Sequence, residues 1–260
     1  GTGVPQPSSG AERVDKPTAA KKKVVGAPAP VESPTFQRPG SDVLENAANG
    51  KQAIFIFFPG ENDDANSYFG GKDYKALESQ AQFVSIPYNA DREPAPVTEE
   101  SLVPTSKLLS DNPSRDYGIK AYPAFIVADS YGNVIMSLSG KKPAAKELEA
   151  AFGKVSAKMD DNAKKLQRRL DNAKKSWEAK DASKAMGEIR GNFKDGLVGY
   201  DAQNETIRIY HEVVDAARAQ VDALKAEGSA DSVKALKAMK GTFKDTEVEK
   251  LIDEALKSGK

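Results

Sequence analysis

The chain has 260 residues, with 38 basic and 38 acidic side chains and a formal net charge of zero. This balance argues against wholesale binding to nucleic acid or to anionic membranes. The chain contains no cysteine, which excludes disulfides, thiolate metal sites and cysteine nucleophiles.

Residues 1–42 hold seven of the fifteen prolines and few large apolar side chains, so we predict a disordered or extended tail. Two interpretations stay open: a flexible linker, or an arm that lies along a partner protein. As an arm, it would be anchored by its few clustered or large apolar residues, Val24, Val25 and Phe36. The chain begins at Gly1 without a methionine, which fits either an expression-tag remnant or numbering choice, or a mature chain whose export signal has been removed. A Pro/Ser-rich tail after a cleavage site is common in exported proteins, so we expect a periplasmic or secreted protein.

Residues 43–155 have the succession of apolar runs, helical patterns and turns that is typical of an α/β domain. Continuous apolar runs predict buried strands, and the turn at residues 131–133 predicts a hairpin. Helices are predicted from apolar residues spaced three, four or seven apart. The expected elements are a helix at 43–49, a strand at 53–58, a helix at 68–82, a strand at 83–88, a long loop at 91–114, and strands at 124–128 and 134–138.

Residues 156–260 differ in composition from the preceding residues, and they predict an all-α domain of helical hairpins. They contain no proline and are rich in Ala, Lys, Glu and Asp. The segment Lys184–Asp195 matches Lys234–Asp245 in the pattern K-A-(M/L)-x-x-(I/M)-(R/K)-G-x-F-K-D. We interpret this repeat, of about 50 residues, as two stacked units that each end in a C-cap glycine and a packed phenylalanine.

The segment Asp116–Phe125, with the sequence DYGIKAYPAF, resembles the stretch of the thioredoxin family that ends in the cis-proline loop. The apolar strand and the hairpin that follow it fit as well, and the resemblance covers roughly residues 43–155. It implies a mixed sheet flanked by helices. It also implies that the Tyr122–Pro123 bond is cis and borders a groove.

In the same family, a C-x-x-C motif follows the first central strand and opens a helix. The equivalent residues here are Asp63 to Asn66, which place Asp63 and Asn66 at the two cysteine positions. The family's redox chemistry needs a reactive thiolate and a resolving thiol. Neither a carboxylate nor an amide supplies these groups, so the resemblance implies the scaffold without the activity.

Other candidate chemistry is sparse. Glu61, Asp63 and Asp64 form an acidic cluster that could bind Ca²⁺, but the cluster lacks the ligand spacing of a calcium loop. His211, the one histidine, lies in a helical pattern and is more typical of a packed or solvated residue than of a base. A redox-independent activity would have to use Asp63, Asp64 or His211.

The sequence therefore predicts a non-catalytic interaction protein, built on a degenerate thioredoxin scaffold and belonging to a larger extracytoplasmic assembly. The alternative is a chaperone-like module that binds peptides in the groove beside Pro123. We expect protein partners, no nucleic acid, no transmembrane segment, no metal and no cofactor.

Overall fold

The computed structural model describes residues 3, 26 and 31–259. Its sheet consists of β1 (Ala53–Phe58), β2 (Ala81–Ser85), β3 (Ala124–Ala128) and β4 (Val134–Ser139). The strand order is β2-β1-β3-β4, with β1 parallel to β2 and antiparallel to β3, and β3 antiparallel to β4. This strand order and these directions are those of the thioredoxin fold.

The apolar run of β1 is buried on both faces of the sheet. Phe55 and Phe57 face a cluster that includes α5 (Ala145–Glu178), whereas Ile54 and Ile56 face a cluster that includes α1 (Ser41–Gly50). Side chains of a strand alternate between the two faces, so a strand covered on both sides has no polar position. The predicted α/β arrangement is confirmed.

The predicted helix over 68–82 is wrong. The segment instead forms α2 (Ala65–Tyr68), α3 (Lys72–Lys75) and a 3-10 turn (Ala76–Ser79), and β2 begins at Ala81. Gly71 has a φ of 138°, which interrupts the helix between α2 and α3.

Residues 31–40 lie against the edge of the sheet. Gln37 forms a parallel bridge with Val84, where its N–H donates to the Phe83 carbonyl and its carbonyl accepts from the Ser85 N–H. This part of the predicted tail is extended, as expected, but it pairs with β2 of the same chain. It thereby covers the outer edge of β2.

A single helix, α5, belongs to both parts of the structure. Its first turns pack Leu148 and Phe152 on the sheet, and its later turns pack Leu166 and Leu170 in the helical core. The predicted boundary between residues 155 and 156 falls inside this 34-residue helix. After α4 (Pro113–Asp116) and α5, the chain continues as α6 (Ala182–Phe193), α7 (Asp201–Glu227), α8 (Ala230–Thr242) and α9 (Glu247–Ser258).

The repeat corresponds to α6 and α8, and its phenylalanines, Phe193 and Phe243, are buried. The predicted C-cap role of its glycines is wrong, because Gly191 lies within the last turn of α6. A Cβ at Gly191 would come within 3.3 Å of the Arg169 side chain, whose Nη1 donates to the Gly191 carbonyl. This close approach favours glycine at position 191, whereas a Cβ at Gly241 would meet nothing within 4 Å. Among the described residues, no helix has the length and apolar character needed to span a membrane.

Candidate functional site

The residues at the degenerate motif positions have structural partners. Asp63 accepts a hydrogen bond from the Gly60 N–H at 3.0 Å and closes a turn. Asp64 caps α2 by accepting from the Ser67 N–H and hydroxyl, both at 2.9 Å, and these bonds lower its pKa. Since no cysteine is present in the chain, thiol–disulfide exchange is not available to it.

Asn66, at the second motif position, lies in α2 and faces the N-terminal segment. Its Oδ1 is 3.4 Å from the Ser33 hydroxyl, which donates to it. The amide thus contacts the segment that pairs with β2.

The Tyr122–Pro123 peptide bond is cis. The Tyr122 hydroxyl donates to the Asn89 carbonyl at 2.6 Å and accepts from Arg92 Nη2 at 2.5 Å. The Tyr88 ring lies against the Tyr122 ring, with centroids 4.7 Å apart. The segment that follows β2 therefore holds the side chain of the residue before the proline.

Two clefts meet at Pro87 and Tyr88, at the carboxyl ends of β1 and β2. One, of about 320 Å³, is lined by Asp63, Asp64 and Asn66. The other, of about 420 Å³, lies on the α1 side. The motif positions share the first cleft, whereas Tyr122 and Pro123 line neither of the two.

Of the three residues proposed to anchor an N-terminal arm, the structure describes only Phe36. Val24 and Val25 lie outside the described residues. Phe36 is not an exposed anchor, because its ring packs against the rings of Phe69 and Phe83 at centroid distances of 5.7 and 5.5 Å. The apolar character that made Phe36 a candidate contact for a partner is used in the chain's own core.

We expect Phe36→Ala to lower the free energy of unfolding by about 2–3 kcal/mol, below the range for fully buried phenylalanines because the side chain is half-buried. Urea unfolding followed by circular dichroism measures the loss. Val31→Ala is the matched control in the same segment, since Val31 is 70% exposed. Equal stability of the two variants would show that Phe36 contributes nothing to the core.

A buried polar network joins the β3–β4 turn to the helical region. The Asp129 carboxylate is fully buried and accepts from the backbone N–H groups of Tyr131 and Asn133 at 2.9 and 3.0 Å. It also accepts from Asn133 Nδ2 at 3.0 Å and from the Tyr200 hydroxyl at 2.7 Å. Tyr200 immediately precedes α7, so this bond crosses between the two parts.

The same network fixes the backbone before α7. Asn133 Nδ2 donates to the Val198 carbonyl at 2.8 Å, and Asn133 Oδ1 accepts from the Val198 N–H at 2.9 Å. The Tyr131 ring packs edge-on against the Tyr200 ring at 5.0 Å. We call this set, Asp129, Tyr131, Asn133, Val198 and Tyr200, the junction.

Burial raises the pKa of Asp129 above its ordinary value, although the hydrogen bonds from Tyr200 and Asn133 oppose the shift. Relative to the unfolded chain, the native state therefore favours the neutral acid. The stability that this group contributes is complete below about pH 4 and is lost as the pH rises through the raised pKa.

Tyr200→Phe removes a donor to the charged form and should raise the pKa of Asp129 further. We therefore expect a loss of about 2 kcal/mol near neutral pH and about 1 kcal/mol at low pH, where the acid is neutral. Urea titrations at the two pH values measure the loss in the free energy of unfolding. Tyr117→Phe is the control, because the hydrogen bond that it removes goes to the neutral Gly132 carbonyl. Its loss in the free energy of unfolding should be the same at both pH values. A pH-independent loss for Tyr200→Phe would contradict the network.

The remaining candidates do not form a site among the described residues. No group of three His, Asp or Glu residues there is placed to hold a metal ion. His211 is 46% exposed, with its Nε2 at 3.9 Å from the Glu100 carboxylate. It lies on α7, whereas Asp63 and Asp64 precede α2.

Sequence reasoning missed the junction. The turn predicted at residues 131–133 does not include Asp129, and nothing local shows that the Asp129 carboxylate accepts a hydrogen bond from Tyr200, 71 positions away. The available signal was an Asp and an Asn at the two ends of a tight turn, since both residue types also bond to backbone groups.

No family model matches the chain, and no curated protein matches it. A solved structure that matches, described as the oxidoreductase DsbH, aligns with 52% of this chain and 95% of its own length. The sequence identity is 11% and the TM-score is 0.34. The fold assignment rests on the strand order and directions described above.

Proposed function

We propose that this chain is a non-catalytic subunit that binds other proteins, with the sheet as a scaffold and the helical region as a second docking surface. The observation that carries the proposal is the junction, where a buried carboxylate that accepts four hydrogen bonds couples the β3–β4 turn to the start of α7. A fixed relation between two surfaces suits a structural accessory subunit of a larger assembly.

The roles of Asp63 and Asp64 also support a non-enzymatic protein. Their carboxylates are engaged in a turn and a helix cap, which are ordinary structural uses of these residue types. We further propose that the assembly is extracytoplasmic, as the Pro-rich composition of residues 1–42 suggests. Fractionation of the source cells tests this location.

Affinity capture from a native extract, followed by gel filtration and quantitative mass spectrometry, tests the function. We expect one partner, or one set of partners, in fixed stoichiometry with the chain. Recovery of the chain alone would overturn the proposal.

A second candidate, a module that binds extended peptides, is favoured by the two clefts that meet at Tyr88. Binding beside Pro123 would compete with the contacts that Tyr88 and Arg92 make to Tyr122. Suppression of the aggregation of many unrelated unfolded proteins would support this candidate over the first.

Redox inertness is a direct expectation of both candidates. With no thiol in the chain, the reduction of insulin by dithiothreitol should proceed at the uncatalysed rate. A thioredoxin of known activity serves as the positive control. Turnover above the uncatalysed rate by pure protein would contradict the assignment.

A further inference from the structure

The larger of the two clefts at Tyr88 is open to solvent, and its lining is part apolar and part polar. Its volume is about 420 Å³, and its lining includes Ile86, Pro87, Tyr88, Leu108 and Leu109. Tyr88 is 41% exposed and Leu109 is 46% exposed, and they are two of the five large apolar side chains that the described part of the chain leaves exposed. Apolar surface gathered around a concavity is typical of a binding site.

A buried hydroxyl without a partner lies in the lining of this cleft. Ser114 is 1% exposed, and its Oγ has no hydrogen-bond partner among the described residues. Buried side-chain hydroxyls are nearly always paired in native proteins, and leaving one unpaired costs stability. The Ser114 hydroxyl is therefore a candidate partner for a polar group of a ligand bound in this cleft.

The smaller cleft, on the other side of Tyr88, is acidic. Glu61, Asp63 and Asp64 line it, together with the single basic residue Arg38. The carboxylates exceed the guanidinium by two charges (three against one), and hydrogen bonds from Ser67 favour the charged form of Asp64. This cleft is complementary to a lysine or arginine side chain.

We propose that the two clefts form one site for an extended segment of a partner protein that carries a leucine or valine two residues from an arginine or lysine. Side chains two apart in an extended chain point to the same side, about 7 Å from each other, so one can enter each cleft across Tyr88. The aliphatic side chain packs between Tyr88 and Leu109, and a backbone group of the segment pairs with the Ser114 hydroxyl. This inference rests on the proposed function and specifies the surface and the chemistry of the partner.

The first test uses the full chain and a fluorescein-labelled peptide with the sequence Gly-Ser-Leu-Ala-Arg-Ser-Gly, read by fluorescence polarisation. We expect saturable binding that weakens at least tenfold when the peptide leucine is replaced by serine or the arginine by glutamate. Equal binding of the three peptides would overturn the proposal.

The second test locates the site with variants of the chain. Leu109→Ser and Glu61→Lys should each weaken binding of the peptide at least fivefold. Val97→Ser and Glu254→Lys are matched controls that change exposed residues outside both clefts, and they should bind as the unmodified chain does. Control variants that weaken binding as much as Leu109→Ser and Glu61→Lys would overturn the assignment.

Ser114→Ala separates a binding role from a structural one. Because the hydroxyl has no partner in the described structure, its removal should leave the melting temperature unchanged or raised, while peptide binding weakens at least threefold. A lowered melting temperature with unchanged binding would show that the hydroxyl serves the fold.

The inference and the proposed function can fail separately. If the native partner is retained at full stoichiometry by both Leu109→Ser and Glu61→Lys, the site is wrong and the proposed function stands. If the peptide binds as expected but the extract yields no partner, the site stands and the subunit role fails.

Discussion

Asp129→Ala should lower the free energy of unfolding by about 4 kcal/mol, the largest loss that we expect from a single truncation in this chain. The substitution removes the acceptor of four N–H or O–H groups: the backbone N–H groups of Tyr131 and Asn133, one of the two N–H groups of Asn133 Nδ2, and the Tyr200 hydroxyl. Each unpaired buried donor costs about 1–3 kcal/mol, and relief of the buried carboxylate offsets part of the sum.

Two optical probes can follow this loss in different parts of the molecule. Trp177 is the one tryptophan in the chain, and its indole N–H donates to Glu212 at 3.0 Å within the helical region. Its fluorescence reports that region, whereas near-ultraviolet circular dichroism also reports the tyrosine and phenylalanine side chains clustered around the sheet. We expect the two probes to coincide in the unmodified chain and to separate in Asp129→Ala.

Asp161→Ala is the control, because Asp161 is exposed on α5 and its loss should stay within about 0.5 kcal/mol. Asp129→Asn keeps one acceptor oxygen, so its loss in the free energy of unfolding should lie between those of Asp161→Ala and Asp129→Ala. Stability of Asp129→Ala equal to that of the control would mean that the junction does not couple the parts.

The elements that could be predicted are those whose signal is local. The apolar run of β1 identifies its strand because a strand buried on both faces of a sheet needs only neighbouring apolar residues. The helix predicted over 68–82 failed because Gly71, with its left-handed φ, outweighs a matching apolar spacing.

The parts of the candidate site that could not be predicted depend on contacts between distant residues. From the sequence, Phe36 is a large apolar residue in a Pro-rich segment, which is typical of an anchor for a partner. In the structure, Gln37 pairs with β2, and the Phe36 ring lies against Phe69 and Phe83. Ser114 is one of many serines in the sequence, and its unpaired hydroxyl is visible only once α4 and the strand ends enclose it. Pairings of this kind depend on tertiary structure, which a local pattern does not encode.

The approach of Tyr131 to Gly199 gives a second large effect, and it tests the junction through packing instead of charge. Gly199 has a φ of 89°, and a Cβ built there would lie 2.6 Å from Tyr131 Cδ1 and overlap the Tyr131 Cβ and Cγ as well. Gly199→Ala therefore carries both a backbone cost and a steric cost, together about 3 kcal/mol.

A neighbouring glycine separates these two costs. Gly196 has a φ of 66°, but a Cβ there meets nothing within 4 Å, so Gly196→Ala should lose only the backbone part, about 1 kcal/mol. The excess for Gly199→Ala should disappear when Tyr131 is also replaced by glycine, which removes all three overlapping atoms. A double-mutant cycle should then give a coupling of about 1–2 kcal/mol between Gly199 and Tyr131. Purely additive losses would mean that the turn and the start of α7 do not touch in solution, and a scaffold with fixed surfaces would have to be abandoned.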